Sequence, residues 1–176
     1  VAAAAYGSFR SHVTTGADLA VAIPDSVELV DAAAMPITYL TAAYALSNCA
    51  GLAAGQRVLI HAGAGGVGMV AIQLAKAAGA EIFATAGSPR KRATLRGIGV
   101  HHVMECRTLE VGEEIDRITG GTGVDVVLNS LSGEFIAKSL ECLAEGGTFV
   151  EIGRTDIWDA AGVAAIRPDV SYYDLH

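Results

Sequence analysis

The chain has 176 residues, 52% hydrophobic and 18% charged, with 12 basic against 19 acidic side chains and a net charge of -7. That balance excludes a disordered chain, which needs low hydrophobicity and high charge, and the length suits a single domain of roughly 100–200 residues. An acidic surface repels phosphate backbones, so general nucleic-acid binding is not expected.

Residues 1–30 are irregular, with Tyr6-Gly7-Ser8-Phe9 and Val21-Ala22-Ile23-Pro24 as short apolar pieces punctuated by glycine and proline. They predict strands and turns without partners of their own, the tail of a unit that begins upstream. No basic segment precedes an apolar run after Val1, so no secretory signal is expected. Residues 32–56 carry no charge and have the length of a membrane span, but Pro36, Ser47, Asn48 and Gly51 interrupt them and alanine and threonine dominate over leucine. The expectation is a buried helix of a soluble domain, with no membrane partner.

From Arg57 a regular alternation begins. Residues 57–61 form a β-branched strand, and 67–78 have helical spacing (Val67, Val70, Ala71, Leu74) that stops at Gly79, a left-handed cap position. A second strand covers 81–85, after which Ser88-Pro89 supplies an N-cap and a first-turn proline for a helix ending near Gly97. Further strands are predicted at 102–104, 124–128, 148–152 and 170–173. The helices between them fall at 113–118, closed by Gly120-Gly121, and at 133–143, ending at Gly146-Gly147. Such alternation implies right-handed βαβ units and an α/β fold with a doubly wound six-stranded parallel sheet, a Rossmann arrangement.

Between the first of these strands and its helix lies His61-Ala62-Gly63-Ala64-Gly65-Gly66-Val67-Gly68, where Gly63, Gly65 and Gly68 satisfy G-x-G-x-x-G. The first glycine permits a tight turn, the second lets backbone N–H groups approach a pyrophosphate, and the third lets helix and strand pack closely. The helix N-terminus adds partial positive charge. A packing turn with no ligand satisfies the same pattern, but the strands around it favour dinucleotide binding. An NAD or FAD site usually places an acid about 20 residues past the glycines. Here Thr85-Ala86-Gly87-Ser88-Pro89-Arg90-Lys91-Arg92 has no carboxylate and three cations. Hydroxyls and cations suit a 2′-phosphate, and cations at a helix start oppose its dipole, so NADP is expected over NAD.

Together these residues resemble the enoylreductase domain of modular polyketide synthases, in the medium-chain dehydrogenase/reductase superfamily beside the quinone oxidoreductases. The likeness covers essentially the whole chain. It rests on residues 33–42 (Ala-Ala-Met-Pro-Ile-Thr-Tyr-Leu-Thr-Ala), 58–68, 123–131 (Gly-Val-Asp-Val-Val-Leu-Asn-Ser-Leu) and 149–153 (Phe-Val-Glu-Ile-Gly). It implies NADPH as cofactor, held by residues 31–176 as an NADP-binding Rossmann domain, with 1–30 a short remnant of a second, substrate-binding domain. By position, Thr41 would lie beside the nicotinamide ribose, and Gly65, Gly66 and Val67 would hold the pyrophosphate. Ser88, Lys91 and Arg107 would meet the 2′-phosphate. Asn129, Ser130 and Leu131 would line the cofactor beyond the fourth strand, with Ile152 and Gly153 near the nicotinamide.

The implied reaction moves hydride from NADPH to the β-carbon of an α,β-unsaturated thioester on an acyl carrier protein, followed by protonation at the α-carbon. No metal is implied. Where related reductases carry a lysine as proton donor, this sequence has Arg154; arginine is a poor general acid but can polarise a thioester oxygen. With so little of the substrate domain, the chain is expected to bind cofactor better than it turns over. Related reductases join edge strands across a dimer, so a homodimer through the last strand is expected. The competing readings are a quinone-type NADPH oxidoreductase and a non-catalytic cofactor-binding or dimerisation module.

Other residues read as structural. Cys49, Cys106 and Cys142 are too few and scattered for a disulfide framework or zinc site, and suggest reduced thiols in the cytoplasm. His61 reads as a packed strand-end histidine, His101-His102 as a turn pair without a third ligand, and Trp158 as a loop anchor.

Overall fold

Two short strands, β1 (Ala2–Ala3) and β2 (Ala20–Val21), open the chain and pair antiparallel, Ala2 against Val21 and Ala3 against Ala20. The stretch thus has partners of its own, contrary to expectation; pairing two residues across a loop leaves no periodic signal to read. In this computed structural model, residues 1–106 and 110–175 are described.

Helix α1 (Leu29–Ala43) winds on through residues 44–49 in a wider turn, where Ala50 N–H donates to Ala45 O at 3.0 Å. Leu29–Cys49 is long and apolar enough to cross a membrane by length and composition alone. The expectation of a buried helix fails: Ala32, Ala42, Ala45 and Leu46 are buried, but Leu29, Val30, Ile37, Tyr39, Leu40 and Tyr44 are exposed. One side of the helix packs on the second helix of the chain. Another side forms, with β1 and β2, the wall of an apolar groove of about 560 Å³. Composition reports how apolar a helix is, not how many of its sides find a neighbour.

The regular part runs β3 (Arg57–Ile60), α2 (Gly66–Ala78), β4 (Glu81–Thr85), α3 (Pro89–Gly97), β5 (His102–Met104), α4 (Val111–Thr119), β6 (Val124–Asn129), α5 (Glu134–Glu141), β7 (Leu143–Glu151), α6 (Ala160–Ile166) and β8 (Ser171–Asp174). The six strands from β3 onward form one parallel sheet in the order β5-β4-β3-β6-β7-β8. The predicted doubly wound Rossmann sheet is therefore present, with its order reversing between β3 and β6.

Both faces of the sheet are covered, so its central strands are apolar without alternation. Val58, Ile60, Ile82 and Leu128 pack with Ile72 of α2 and Leu95 of α3. Leu59, Phe83, Val127 and Phe149 face Ile115 of α4 and Leu140 of α5. The predicted caps form as expected: Gly79 and Gly120 sit at φ 77° and 65°, and Ser88 Oγ accepts the Lys91 N–H at 3.3 Å.

Two elements differ from the sequence reading. Helix α5 stops at Glu141, and β7 begins at Leu143, so Gly146-Gly147 does not end a helix. Strand pairing jumps from Val124–Leu143 to Val126–Thr148, and Gly146, at φ 71°, lies inside that irregularity. The second difference is α6, an Ala-rich segment without a polar–apolar period. Its start is set by Asp159, which accepts the Gly162 N–H at 2.7 Å.

Candidate functional site

In doubly wound sheets ligands bind at the carboxyl ends of the strands where the order reverses, here between β3 and β6. The glycine loop sits at that point. His61 N–H donates to Leu128 O on β6 at 3.1 Å, and Gly63 N–H to Thr85 O on β4 at 2.8 Å. Ala62 is held at φ 49°, and Gly65 N–H closes the turn onto Ala62 O at 2.8 Å. A Cβ on Gly63 would stand 3.0 Å from Ala84 Cβ, and one on Gly68 would stand 2.6 Å from Ala62 O. Both glycines therefore permit close approach of helix α2 to the sheet.

The first intrahelical bond of α2 that starts from its cap runs from Met69 N–H to Gly65 O at 2.9 Å. The amides of Gly66, Val67 and Gly68 precede it and have no helical acceptor, which leaves them for an anion. Gly65 and Gly66 are exposed at this end. A Cβ on Gly66 would meet Thr38 Cγ2 at 3.1 Å, so Thr38 of α1 lies over the loop. Sequence reasoning singled out Thr41, which is half-buried in the last turn of α1, and missed Thr38 in the same Pro36-to-Thr41 segment.

His61 is buried and fully satisfied. Ser139 Oγ donates to Phe135 O at 2.7 Å, so it accepts from His61 Nε2–H at 2.9 Å. Nδ1 is then the acceptor for the Thr85 hydroxyl at 3.1 Å, and that oxygen takes the Ala62 N–H at 3.3 Å. Burial depresses the His61 pKa to about 4, so the ring is neutral at physiological pH. It is a packed strand-end histidine, as its sequence position suggests.

Beyond β4, Ser88 caps α3 and keeps its hydroxyl proton available, and Lys91 is exposed nearby. Arg92 is committed: it pairs with Glu105 at 3.0 Å and donates to Ala86 O at 3.1 Å. Arg107 lies outside the described residues. His101 Nδ1 accepts the Ile82 N–H at 3.1 Å, and His102 Nε2 meets Glu81 Oε1 at 2.8 Å, so both histidines serve the packing of β4 and β5.

Past β6, Asn129 is fully buried, donating to Leu131 O at 2.8 Å and to Glu151 Oε2 at 2.7 Å while its Oδ1 accepts the Leu131 N–H at 3.2 Å. The Ser130 hydroxyl oxygen is buried without a hydrogen-bond partner. Past β7, Ile152 N–H donates to Asn129 O at 2.9 Å and Gly153 N–H to Glu151 Oε1 at 2.6 Å. Arg154 is exposed immediately after. Trp158 is anchored through its carbonyl, which accepts the Tyr172 hydroxyl at 2.6 Å. Glu151 escaped the sequence reading; its signal is a carboxylate within the apolar run Thr148-Phe149-Val150-Glu151-Ile152.

The glycine cradle, the free amides of α2, and the orphaned Ser130 hydroxyl on the adjoining strand end fit a dinucleotide. The fold and site define a nucleotide-binding subdomain of the dehydrogenase type. Residues 66–165 match the zinc-binding dehydrogenase family. The chain is 52% identical over 156 residues to erythronolide synthase EryA2 of Saccharopolyspora erythraea, covering 88% of this chain and 4% of that protein. It superposes on the CurK enoyl reductase with a TM-score of 0.91 and 51% identity, covering 93% of this chain and 49% of that one. It also superposes on the nucleotide-binding subdomain of the enoylreductase domain of PpsC from Mycobacterium tuberculosis, with a TM-score of 0.74, 44% identity, and 80% and 79% of the two chains covered. The chain therefore belongs to the enoylreductase domains of polyketide synthases, within the zinc-binding dehydrogenase family. It spans about half the length of the CurK reductase and about 4% of the EryA2 synthase.

The described residues do not fit the metal in the family's name. Among the described residues no three His, Cys, Asp or Glu side chains gather to hold an ion. Burial pushes the Cys142 thiol up to about 12, away from the thiolate that a metal needs.

Proposed function

We propose that this chain is the NADPH-binding part of an enoyl-thioester reductase domain of a polyketide synthase. The observation that carries this reading is the glycine turn with the free amides of α2, followed beyond β4 by Ser88 and Lys91 where a NAD site has a carboxylate. When bound, NADPH supplies a hydride for the β-carbon of an enoyl thioester carried on an acyl carrier protein. The amides of Gly66, Val67 and Gly68 hold the pyrophosphate, and Gly63, Gly65 and Gly68 give it room. Ser88 donates its hydroxyl proton to the 2′-phosphate, and Lys91, with Arg107, supplies positive charge. Thr41, Ser130, Leu131, Ile152 and Gly153 form the surface toward the nicotinamide, and Asn129 shapes it through its bonds to Leu131. Arg154 polarises the thioester oxygen and cannot give up its own proton, so the α-carbon takes its proton from another group or from water.

The same reading divides the chain at residue 30. Residues 31–176 carry the cofactor, and 1–30 belong to the substrate-binding domain, the rest of which would cover the exposed side of α1. Strand β8 is an edge of the sheet and offers its free side to β8 of a second copy, making a homodimer. The setting is a cytoplasmic multienzyme.

Titration with NADPH and NADH, followed by nicotinamide fluorescence, tests the cofactor. NADPH should bind more tightly, and Lys91→Ala should weaken NADPH about tenfold or more, the worth of one charge-assisted bond, while leaving NADH unchanged. An NADH preference, or an NADPH preference untouched by the substitution, would overturn the assignment of Ser88 and Lys91.

A further inference from the structure

We propose that Glu151 is a positioning residue of the cofactor site: its buried carboxylate ties the loop after β6 to the loop after β7 and so sets the surface on which the nicotinamide half rests. The inference builds on the dinucleotide reading above and assigns a role to a side chain that this reading leaves idle.

Glu151 is 0% exposed, the last residue of β7 after the buried Phe149 and Val150, with Asn129 and Asp174 as its register partners on the adjoining strands. Burying a carboxylate costs free energy unless its oxygens are satisfied. Among the described residues its oxygens accept from Asn129 Nδ2 at 2.7 Å on one side and from Gly153 N at 2.6 Å on the other. Neither donor is a cation, so the site lacks the ion pair that normally accompanies a buried charge. An apolar residue would be cheaper here for stability alone, and a position that breaks the local pattern without a stabilising partner is expected at a functional site.

The two donors belong to different loops. Asn129 spends its second Nδ2 hydrogen on Leu131 O and its Oδ1 on the Leu131 N–H, so its orientation sets the path of residues 129–131. Glu151 holds that amide in place. On the other side, a Cβ on Gly153 would stand 2.7 Å from Glu151 Oε1, so a side chain there would have to push the carboxylate aside. Ile152 N–H closes the pair by donating to Asn129 O at 2.9 Å. One carboxylate thus fixes both loops, and the buried, unpartnered Ser130 hydroxyl lies in the first of them. These loops end β6 and β7, on the opposite side of the switch point from β4, where Ser88 and Lys91 receive the adenosine end.

That separation defines the test. Wild-type chain and Glu151→Gln are titrated with NADPH and with 2′,5′-ADP, which carries the adenosine and its 2′-phosphate but no nicotinamide. Gln turns one acceptor into a donor facing another donor, so NADPH affinity should fall about tenfold or more. The spectral shift of bound nicotinamide should be lost, and 2′,5′-ADP affinity should stay within about twofold of wild type. Should Glu151→Gln fail to fold, Glu151→Asp retains the charge but not the reach to both donors, and the same split is expected. Unchanged NADPH binding, or equal loss of both ligands in a folded variant, would overturn the role of Glu151. A wild-type chain that binds neither ligand would overturn the cofactor reading itself.

Discussion

Replacing Gly68 with alanine is expected to abolish dinucleotide binding while the sheet still folds. A Cβ at that position would stand 2.6 Å from Ala62 O, 2.7 Å from Gly63 Cα and 2.8 Å from Gly63 C, all backbone atoms of the glycine loop. Side chains can rotate out of such a clash, but this turn cannot. It is pinned by Gly63 N–H on Thr85 O, by His61 N–H on Leu128 O, and by the left-handed Ala62. The strain is relieved only if the start of α2 moves away, which carries the free amides of Gly66 and Val67 off the anion position. Overpacking of this kind costs about 1–3 kcal/mol against a total stability of about 5–15 kcal/mol, so the variant stays folded but less stable. Binding should suffer more than folding, by about a hundredfold or more, because an Ångström-scale displacement removes several aligned donors at once. Gly97→Ala is the control. Gly97 also lies in a helix, but nothing lies within 4 Å of its Cβ position, so alanine there should stabilise the chain by up to about 1 kcal/mol and leave NADPH binding intact. Urea denaturation and NADPH titration of the two variants check the contrast; wild-type affinity in Gly68→Ala would refute it.

The glycine loop was legible because each of its glycines answers a local demand that sequence can state: a turn, an open amide, a close crossing. The same holds for Ser88, whose cap needs only residues three apart, and for Gly79 and Gly120, whose left-handed conformations end helices locally. Gly146-Gly147 shows where this stops. A glycine pair after an apolar run serves a helix end or a strand irregularity equally well, and the choice lies in the register between β6 and β7. Side-chain commitments over distance were also hidden. Lys91 and Arg92 look alike in sequence, yet Arg92 is neutralised by Glu105 and Lys91 is exposed. Asn129 and Glu151 stand 22 residues apart, and their hydrogen bond converts an asparagine expected to line the cofactor into one whose amide hydrogens are already spent. Helix α1 departs from its expected burial for a related reason: its apolar side is plain in the sequence, but burial depends on a neighbour that no local pattern describes.

Stability is expected to fall as pH drops from about 6.5 to 4, and His61 is the main cause in that window. Burial holds its folded-state pKa at about 4, below the 6.5 of the free side chain, so over that interval the unfolded chain binds a proton that the folded chain refuses. Acid therefore favours unfolding, and the stabilisation from a neutral His61 is fully present only above the upper limit. At about 1.4 kcal/mol per pH unit the loss reaches about 3 kcal/mol. The structure shows why the ring resists protonation. Nδ1 is the acceptor of the Thr85 hydroxyl, and a second proton there would make Nδ1 a donor and deprive the buried Thr85 hydroxyl hydrogen of its acceptor. Two carboxylates modify the profile. Glu151, raised chiefly by burial, works against His61 above pH 4.5, where the folded chain retains a proton the unfolded chain has released. Glu81, lowered chiefly by its bond to His102, adds to the acid loss below pH 4.5. His61→Gln separates these contributions. It cannot titrate, so its stability at pH 7.5 should be lower than wild type by about 1–2 kcal/mol for imperfect hydrogen bonds, while its slope between pH 6.5 and 4.5 becomes shallow or reverses under Glu151 alone. Urea denaturation of both chains at closely spaced pH values provides the comparison. Parallel pH profiles would mean that His61 takes up its proton in the folded chain, and that the Thr85–His61–Ser139 chain does not hold the glycine loop in the neutral form described above.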